Sequence, residues 1–121
     1  MTTEPIIELP KFDTGQYEGC EFVMAGGGAR LTVRFSELPD FGISFERVRW
    51  HQFTAQPNCS VDMIKTAYFR LVELKTSSAL ANFIKRDQAP RKAYRELHHY
   101  RIYLDETGCH ELFAQSAHRL T

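Results

Sequence analysis

The sequence lacks the short motifs by which many enzyme classes are recognised. It contains no GxSxG, HExxH or Cys-x-x-Cys spacing, and no pair of acids stands out as a general acid and base. The glycine run at 26–28 lacks the lysine and hydroxyl of a phosphate loop and opens into a strand pattern. We interpret it as a hairpin tip, with a mobile flap over a groove as the alternative, and we predict no catalytic residues, no metal and no cofactor.

Cysteine is scarce, and long apolar runs are absent. Cys20, Cys59 and Cys109 are an odd number at wide spacing, which fits buried thiols in a reducing compartment better than a disulfide framework. No stretch reaches the length of a membrane span, and the early acids and prolines do not resemble a signal peptide. We therefore expect a cytoplasmic protein with no membrane partner.

Net charge is also missing, because fifteen basic residues balance fifteen acidic ones. A dedicated nucleic-acid binder needs excess positive charge, so the balance disfavours that class. A neutral chain has little electrostatic protection against self-association, which makes a homodimer through an edge strand or sheet face a hypothesis. Residues 1–40 carry seven acids and three bases, and these acids either pair with the basic remainder or form a face of their own.

The chain does have enough apolar residues for one core. It has 121 residues, of which 43% are hydrophobic, and this is the usual size of one compact domain. We predict a single domain over 1–121, with residues 1–16 as an extended N-terminal arm. The segment 30–35 alternates strictly, with apolar odd positions and polar even ones, and so predicts a half-buried strand.

The alternation and capping signals place the remaining elements. A third strand from Ile43 to about Phe53 changes parity, which predicts a bulge or a bend near residues 46–47. Ser60 could cap a short helix, and Thr76 or Ser77 could cap the main helix. We expect Pro90 to end that helix and a second short helix to begin in 91–96.

Segments 97–104 and 109–116 predict a hairpin with Gly108 as the left-handed residue of a three-residue loop. Its register would pair Ile102 with Leu112 and Leu104 with His110. Together the patterns predict an α+β fold of about six mostly antiparallel strands, with one main helix (about 77–87) between strands four and five. A curved sheet or half-barrel is the preferred shape, and a two-layer sandwich is the alternative.

Basic side chains form the first candidate binding surface. On the predicted third strand, Arg47, Arg49 and His51 would share the face opposite Trp50, and the arginines of segment 30–34 could extend it. Such a face can bind an acidic partner or a single-stranded nucleic acid, and a solvated outer face is the alternative. A second basic cluster, which the helix dipole alone could explain, consists of Lys85, Arg86, Arg91, Lys92 and Arg95.

A pocket on the concave side of the sheet is the other candidate site. Its polar groups would be His51, His98, Tyr100 and Cys109. Cys109 beside His110 suggests a nucleophile and its base, but neighbours on a strand diverge, so we interpret Cys109 as a buried structural thiol. Adjacent histidines at 98 and 99 also point to opposite faces, which argues against a shared metal site.

Two stretches, 70–80 and 99–114, carry a resemblance to known proteins. Their order of strand, capped helix and hairpin with an acidic-glycine turn resembles small uncharacterised bacterial α+β proteins, some of which are immunity proteins of toxin systems. The resemblance implies a cytoplasmic binding protein without catalytic residues. Inhibitors of nucleic-acid-degrading toxins are often acidic, and the zero net charge departs from that pattern.

These observations lead to two expectations for function. The first is a non-catalytic protein-binding module, immunity-like or inhibitor-like, whose partner is another protein. The alternative is a small-molecule-binding or enzymatic domain with its pocket on the concave sheet face. An exposed patch without a deep pocket would favour the first, and a deep pocket with a titratable group would favour the second.

Overall fold

The computed structural model of the chain describes residues 2–87 and 97–120, which form two antiparallel sheets and two α-helices. The five-strand sheet has the order β1 (Thr3–Glu8), β6 (Arg70–Leu74), β7 (His98–Leu104), β8 (Gly108–Ala114) and β5 (Trp50–Ala55). The four-strand sheet has the order β2 (Tyr17–Ala25), β3 (Gly28–Phe35), β4 (Phe41–Glu46) and β9 (Ser116–Leu120). The helices are α1 (Val61–Ala67) and α2 (Ser78–Arg86).

The main core lies between the two sheets. Leu31 and Val33 of β3 and Ile43 of β4 are completely buried on one side, and they belong to one cluster with Ile102 and Leu112 of the five-strand sheet. Each fully buried side chain of this kind contributes about 1.5–3 kcal/mol. The predicted alternation of segment 30–35 is confirmed, because its apolar positions are buried and its arginines are exposed.

The outer face of the five-strand sheet carries a second core under α1. Ala67 of the helix packs with Val72, Tyr103 and Cys109 of the sheet. The Ser60 hydroxyl accepts a hydrogen bond from the Met63 N–H, which confirms the predicted cap of this short helix. The central strands β6, β7 and β8 are therefore buried on both faces, whereas the described residues cover only one face of the four-strand sheet.

The chain passes from one sheet to the other three times: between β1 and β2, at residues 47–49, and at Gln115. The Val48 N–H donates to the Gly27 carbonyl at 2.8 Å, and the Gln115 N–H donates to the Glu46 carbonyl at 2.9 Å. The predicted single strand from 43 to 53 was therefore wrong: it is two strands, β4 and β5, in different sheets. The change of sheet, rather than a bulge within one strand, explains the change of parity.

The fold class is confirmed in its coarse form, as antiparallel sheets with helices, and corrected in detail. The described residues contain nine strands, rather than about six, and two stacked sheets, rather than a half-barrel. The main helix covers 78–86 with Ser77 as its cap, close to the predicted range, but it follows the sixth strand rather than the fourth. The extra strands come from the changes of sheet at residues 47–49 and at Gln115, and from residues 3–8, which pair with β6.

The β7–β8 hairpin has a different register from the predicted one. Leu104 lies opposite Gly108 and Ile102 opposite His110, which is a shift of two residues on β8. The reversal is completed at residues 105–107, where Glu106 has a φ of 64°. Because the shift is even, every side chain keeps the predicted face.

Two predictions lie outside the described residues: the helix stop at Pro90 and the second short helix in 91–96. The same holds for Arg91, Lys92 and Arg95 of the second basic cluster. Among the residues that the structure describes, no helix is long and apolar enough to cross a membrane.

Candidate functional site

The open edges of the two sheets differ in how well they are protected against pairing with another chain. In the described residues the edge strands are β1, β5, β2 and β9. Three of them carry features that oppose pairing: Pro5 and a register shift in β1, a register shift and glutamates in β2, and Arg119 in β9. The sequence of β5, Trp-His-Gln-Phe-Thr-Ala, contains no charge at neutral pH and no proline, and its pairing with β8 is regular.

Exposed apolar side chains lie along this unprotected strand. Phe53 of β5 is 46% exposed, and Met24 of the overlying β2 is 50% exposed. Beneath them, the Phe22 ring stacks on His51 with 4.1 Å between centroids and on His110 at 5.0 Å. We call this surface, which consists of β5 with Phe22 and Met24 of β2, the β5 edge.

Two histidines at the β5 edge are hydrogen-bonded to each other without an acid. His51 Nε2 and His110 Nδ1 are 3.0 Å apart, and the Cys20 thiol lies 4.0 Å from the other ring nitrogen of His110. Burial lowers the pKa of His110 to about 4, with a smaller effect from His51, and burial also lowers the pKa of His51. Burial raises the pKa of Cys20. All three groups are therefore uncharged near neutral pH.

A second polar cluster lies on the outer face of the five-strand sheet. Ser77 Oγ is 2.6 Å from His99 Nδ1, and His99 Nε2 is 2.9 Å from Glu111 Oε1. Arg101 donates to the same carboxylate oxygen at 3.1 Å. A second nitrogen of its guanidinium donates to the Asp62 carboxylate at 3.3 Å. We call Ser77, His99 and Glu111 the serine–histidine–glutamate chain.

Within the serine–histidine–glutamate chain, the groups around Glu111 hold its carboxylate in the charged form. Burial alone would raise the pKa of Glu111, but the hydrogen bond from His99 and the charge of Arg101 bring it below its ordinary value. His99 is 4% exposed and Glu111 is 7% exposed. The arrangement thus combines a hydroxyl, an imidazole and a buried carboxylate in hydrogen-bonding order.

The predicted site residues do not converge. Arg47 lies in the crossing between β4 and β5, and Arg49 forms an ion pair with Asp87 at 2.9 Å, so neither shares a strand face with His51. The predicted basic row was therefore wrong, because the strand that carried it is divided between two sheets. Trp50, expected on the core side, stacks on Phe113 on the outer face.

The residues of the predicted pocket are also separated. His98 forms an ion pair with Glu73 at 2.7 Å at the margin of the core between the sheets. Tyr100 is buried in that core, where burial raises its pKa to about 12. Cys109 is fully buried on the opposite face, and burial raises the pKa of its thiol to about 12. The space between the sheets is filled by core side chains rather than by a pocket that these groups share.

A shallow groove lies on the uncovered face of the four-strand sheet. Its volume is about 350 Å³. The lining residues are Glu21, Val23, Ala25, Ala29, Arg30, Thr32 and Ser44. Arg34 beside it forms an ion pair with Glu21 at 3.5 Å.

Sequence reasoning missed both the β5 edge and the serine–histidine–glutamate chain. Ser77 was predicted as a helix cap, and it does accept the Leu80 N–H. The signal for the edge was present, because β5 is an uncharged strand segment that contains Trp and Phe.

Within the described ranges, no group of three or more histidine, cysteine, aspartate or glutamate side chains could hold a metal ion. Comparison with known proteins found no family model, no curated protein and no solved structure that matches this chain.

Proposed function

We propose that this protein is a protein-binding module that pairs an extended segment of its partner with β5. The observation that carries the proposal is the contrast between β5 and the other edge strands of the described sheets. Strand addition uses backbone hydrogen bonds for affinity and side-chain contacts for specificity. β5 offers both, because no other described strand pairs with its outer edge and the apolar side chain of Phe53 is exposed on it.

The chemistry of the β5 edge describes the partner's segment. An added strand would place its inner side chains against Phe53, which favours apolar residues there. Its outer side chains would lie beside Gln52 and Thr54, which favours neutral polar residues. Since β5 has no ionised side chain at neutral pH, binding should persist at high salt.

A second copy of this protein meets the same requirement for apolar inner side chains and neutral polar outer side chains. Antiparallel pairing centred on Phe53 would place Phe53 against Phe53 of the other copy and Gln52 against its Thr54, so each pair stays on one sheet face. The zero net charge adds no long-range repulsion between copies. Light scattering at micromolar concentration distinguishes this homodimer from a monomer that waits for a different protein.

The immunity-like role and the cytoplasmic location remain part of the proposal. An inhibitor of the kind that the sequence resemblance implies would use the β5 edge to occupy a toxin's exposed strand. The balanced charges fit such contacts, because backbone pairing does not require an acidic surface.

Capture of tagged protein from a lysate of its own source, washed at low and then high salt, tests the proposal. Gln52→Lys places a charge on the open edge, and Thr32→Lys places the same charge on the uncovered face of the four-strand sheet as a matched control. We expect one protein to stay bound through the high-salt wash with wild type and Thr32→Lys. Gln52→Lys should reduce its recovery by about tenfold or more, because a lysine on an edge strand opposes pairing with another chain.

Two results would contradict strand addition at β5. The first is a captured protein whose recovery is equal for Gln52→Lys and wild type. The second is recovery that is lost with Thr32→Lys and kept with Gln52→Lys, which would move the interface to the open face of the four-strand sheet.

A further inference from the structure

We propose that Ser77 is a nucleophile for acyl transfer, with His99 as its general base and Glu111 as the residue that positions His99. This activity goes beyond partner binding, and it belongs to the face of the five-strand sheet opposite the main core. The substrate class is esters of apolar carboxylic acids.

The hydrogen bonds give the proton path a definite direction. The Leu80 N–H donates to Ser77 Oγ at 3.1 Å, so the Ser77 hydroxyl is left to donate its own proton to His99 Nδ1 at 2.6 Å. His99 Nε2–H in turn donates to the Glu111 carboxylate at 2.9 Å. The carboxylate thereby fixes the tautomer in which Nδ1 carries the lone pair that can accept a proton.

Ser77 lies closer to the surface than the other two residues of the serine–histidine–glutamate chain. Ser77 is half-buried at the surface, whereas His99 and Glu111 are buried beneath it. Arg101 donates to Glu111 Oε1, the same oxygen that contacts His99, and so adds a positive charge beside the buried acid. The reactive hydroxyl can therefore meet a substrate while its base and positioning acid stay away from water.

The local backbone presents Ser77 between a strand and a helix. β6 ends at Leu74, and Thr76, with a φ of 54°, turns the chain so that Ser77 becomes the cap of α2. The N–H groups of Ser78 and Ala79 in the first helical turn have no acceptor within the helix. They could donate to the oxyanion that forms beside Ser77, where the helix dipole also favours negative charge.

A cleft of about 320 Å³ lies beside the serine–histidine–glutamate chain. Its lining residues are Trp50, Ala79, Asn82, Phe83, Arg86 and Phe113. Its aromatic wall contacts the base, because Phe113 and Trp50 lie edge-on to the His99 ring with centroids at 5.0 and 6.2 Å. The rings of Trp50, Phe83 and Phe113 suit an aromatic or branched acyl group, and Asn82 and Arg86 give the same cleft a polar side.

The reaction is balanced with water as the co-reactant. Ser77 Oγ forms a bond to the ester carbonyl carbon as its proton moves to His99 Nδ1. The tetrahedral intermediate then expels the alcohol, which takes that proton, and leaves an acyl ester on Ser77. Water attacks this ester, gives its proton to His99 Nδ1, and releases the carboxylic acid as the proton returns to Ser77.

Covalent labelling by a fluorophosphonate probe, read by peptide mass spectrometry, tests the proposal on the intact protein. We expect the label on Ser77 in wild type and none at that position in Ser77→Ala. Ser60→Ala is the matched control, because Ser60 caps α1 in the same way but has no histidine beside it. That variant loses a comparable cap and should label at the wild-type rate.

The labelling rate of Ser77 tests whether Glu111 positions His99, because this rate would not change if Glu111 only stabilised the fold. Glu111→Gln should lower the labelling rate of Ser77 by about tenfold or more, and Glu111→Asp should restore part of it. Melting curves establish that each variant is folded. Wild-type protein that is folded and remains unlabelled at Ser77 would overturn the proposal, as would equal labelling rates in wild type and folded Glu111→Gln.

Discussion

The histidines of the five-strand sheet differ in whether their side chains contact a carboxylate. His98 contacts Glu73 and His99 contacts Glu111, so each has a carboxylate partner. His110 has instead a second histidine, His51, as its hydrogen-bonding partner. Burial disfavours a charged imidazole that has no carboxylate partner. A carboxylate beside the imidazole opposes this effect, because the two charges can form an ion pair.

This difference predicts a loss of stability at mildly acidic pH. Burial lowers the pKa of His110 to about 4 from its ordinary value of 6.5, so between these values the unfolded chain binds more protons. The free energy of unfolding should therefore fall as the pH drops through this window. From pH 7 to pH 5, His110 alone should cost about 2 kcal/mol.

Urea unfolding at pH 7 and pH 5 measures this loss. His110→Gln keeps a hydrogen-bonding side chain that does not titrate, so its loss over the same interval should be smaller by about 2 kcal/mol. His118→Gln, which changes an exposed histidine on β9, should behave as wild type. An unchanged pH dependence in His110→Gln would show that another group is responsible.

At the scale of the elements, the close packing of β5 on β8 depends on a glycine. A Cβ added at Gly108 would overlap the Thr54 carbonyl oxygen and lie 2.9 Å from Phe53 Cζ. The φ of Gly108 is also 145°, which a residue with a side chain rarely adopts. Gly108 therefore lets β5 approach closely enough to form its regular ladder.

We expect Gly108→Ala to destabilise the fold by about 2 kcal/mol or more, since strain and overlap act together. Gly15→Ala is the control, because nothing lies within 4 Å of a Cβ at that position. Its effect should stay within about 0.5 kcal/mol in urea unfolding. Equal midpoints for the two variants would show that β5 adjusts without cost.

The elements also show what the sequence could and could not predict. Strict alternation identified the buried face of 30–35, and short polar side chains identified the caps at Ser60 and Ser77, because these signals are local. Alternation does not say which sheet a strand joins, so the division of segment 43–53 was missed. The serine–histidine–glutamate chain joins residues 22 and 12 positions apart, and only the fold brings them together.

At the scale of the whole molecule, charge is distributed by pairing across β1 and β6. Glu4 lies 3.1 Å from Lys75, and Glu8 lies 3.9 Å from Arg70, so acids of the N-terminal segment pair with later bases. These pairs are exposed and contribute little to stability. β5, at the other end of the same sheet, has no Asp, Glu, Lys or Arg in its own sequence.

The central claim is that β5 is the edge at which a partner binds, and photo-crosslinking in the cell tests it most directly. p-Benzoylphenylalanine is placed at position 52 on β5 and, as the comparison, at position 32 on the open face of the four-strand sheet. We expect one discrete crosslinked protein when p-benzoylphenylalanine is at position 52 and none when it is at position 32. A crosslink from position 32 alone, or from neither position, would contradict it.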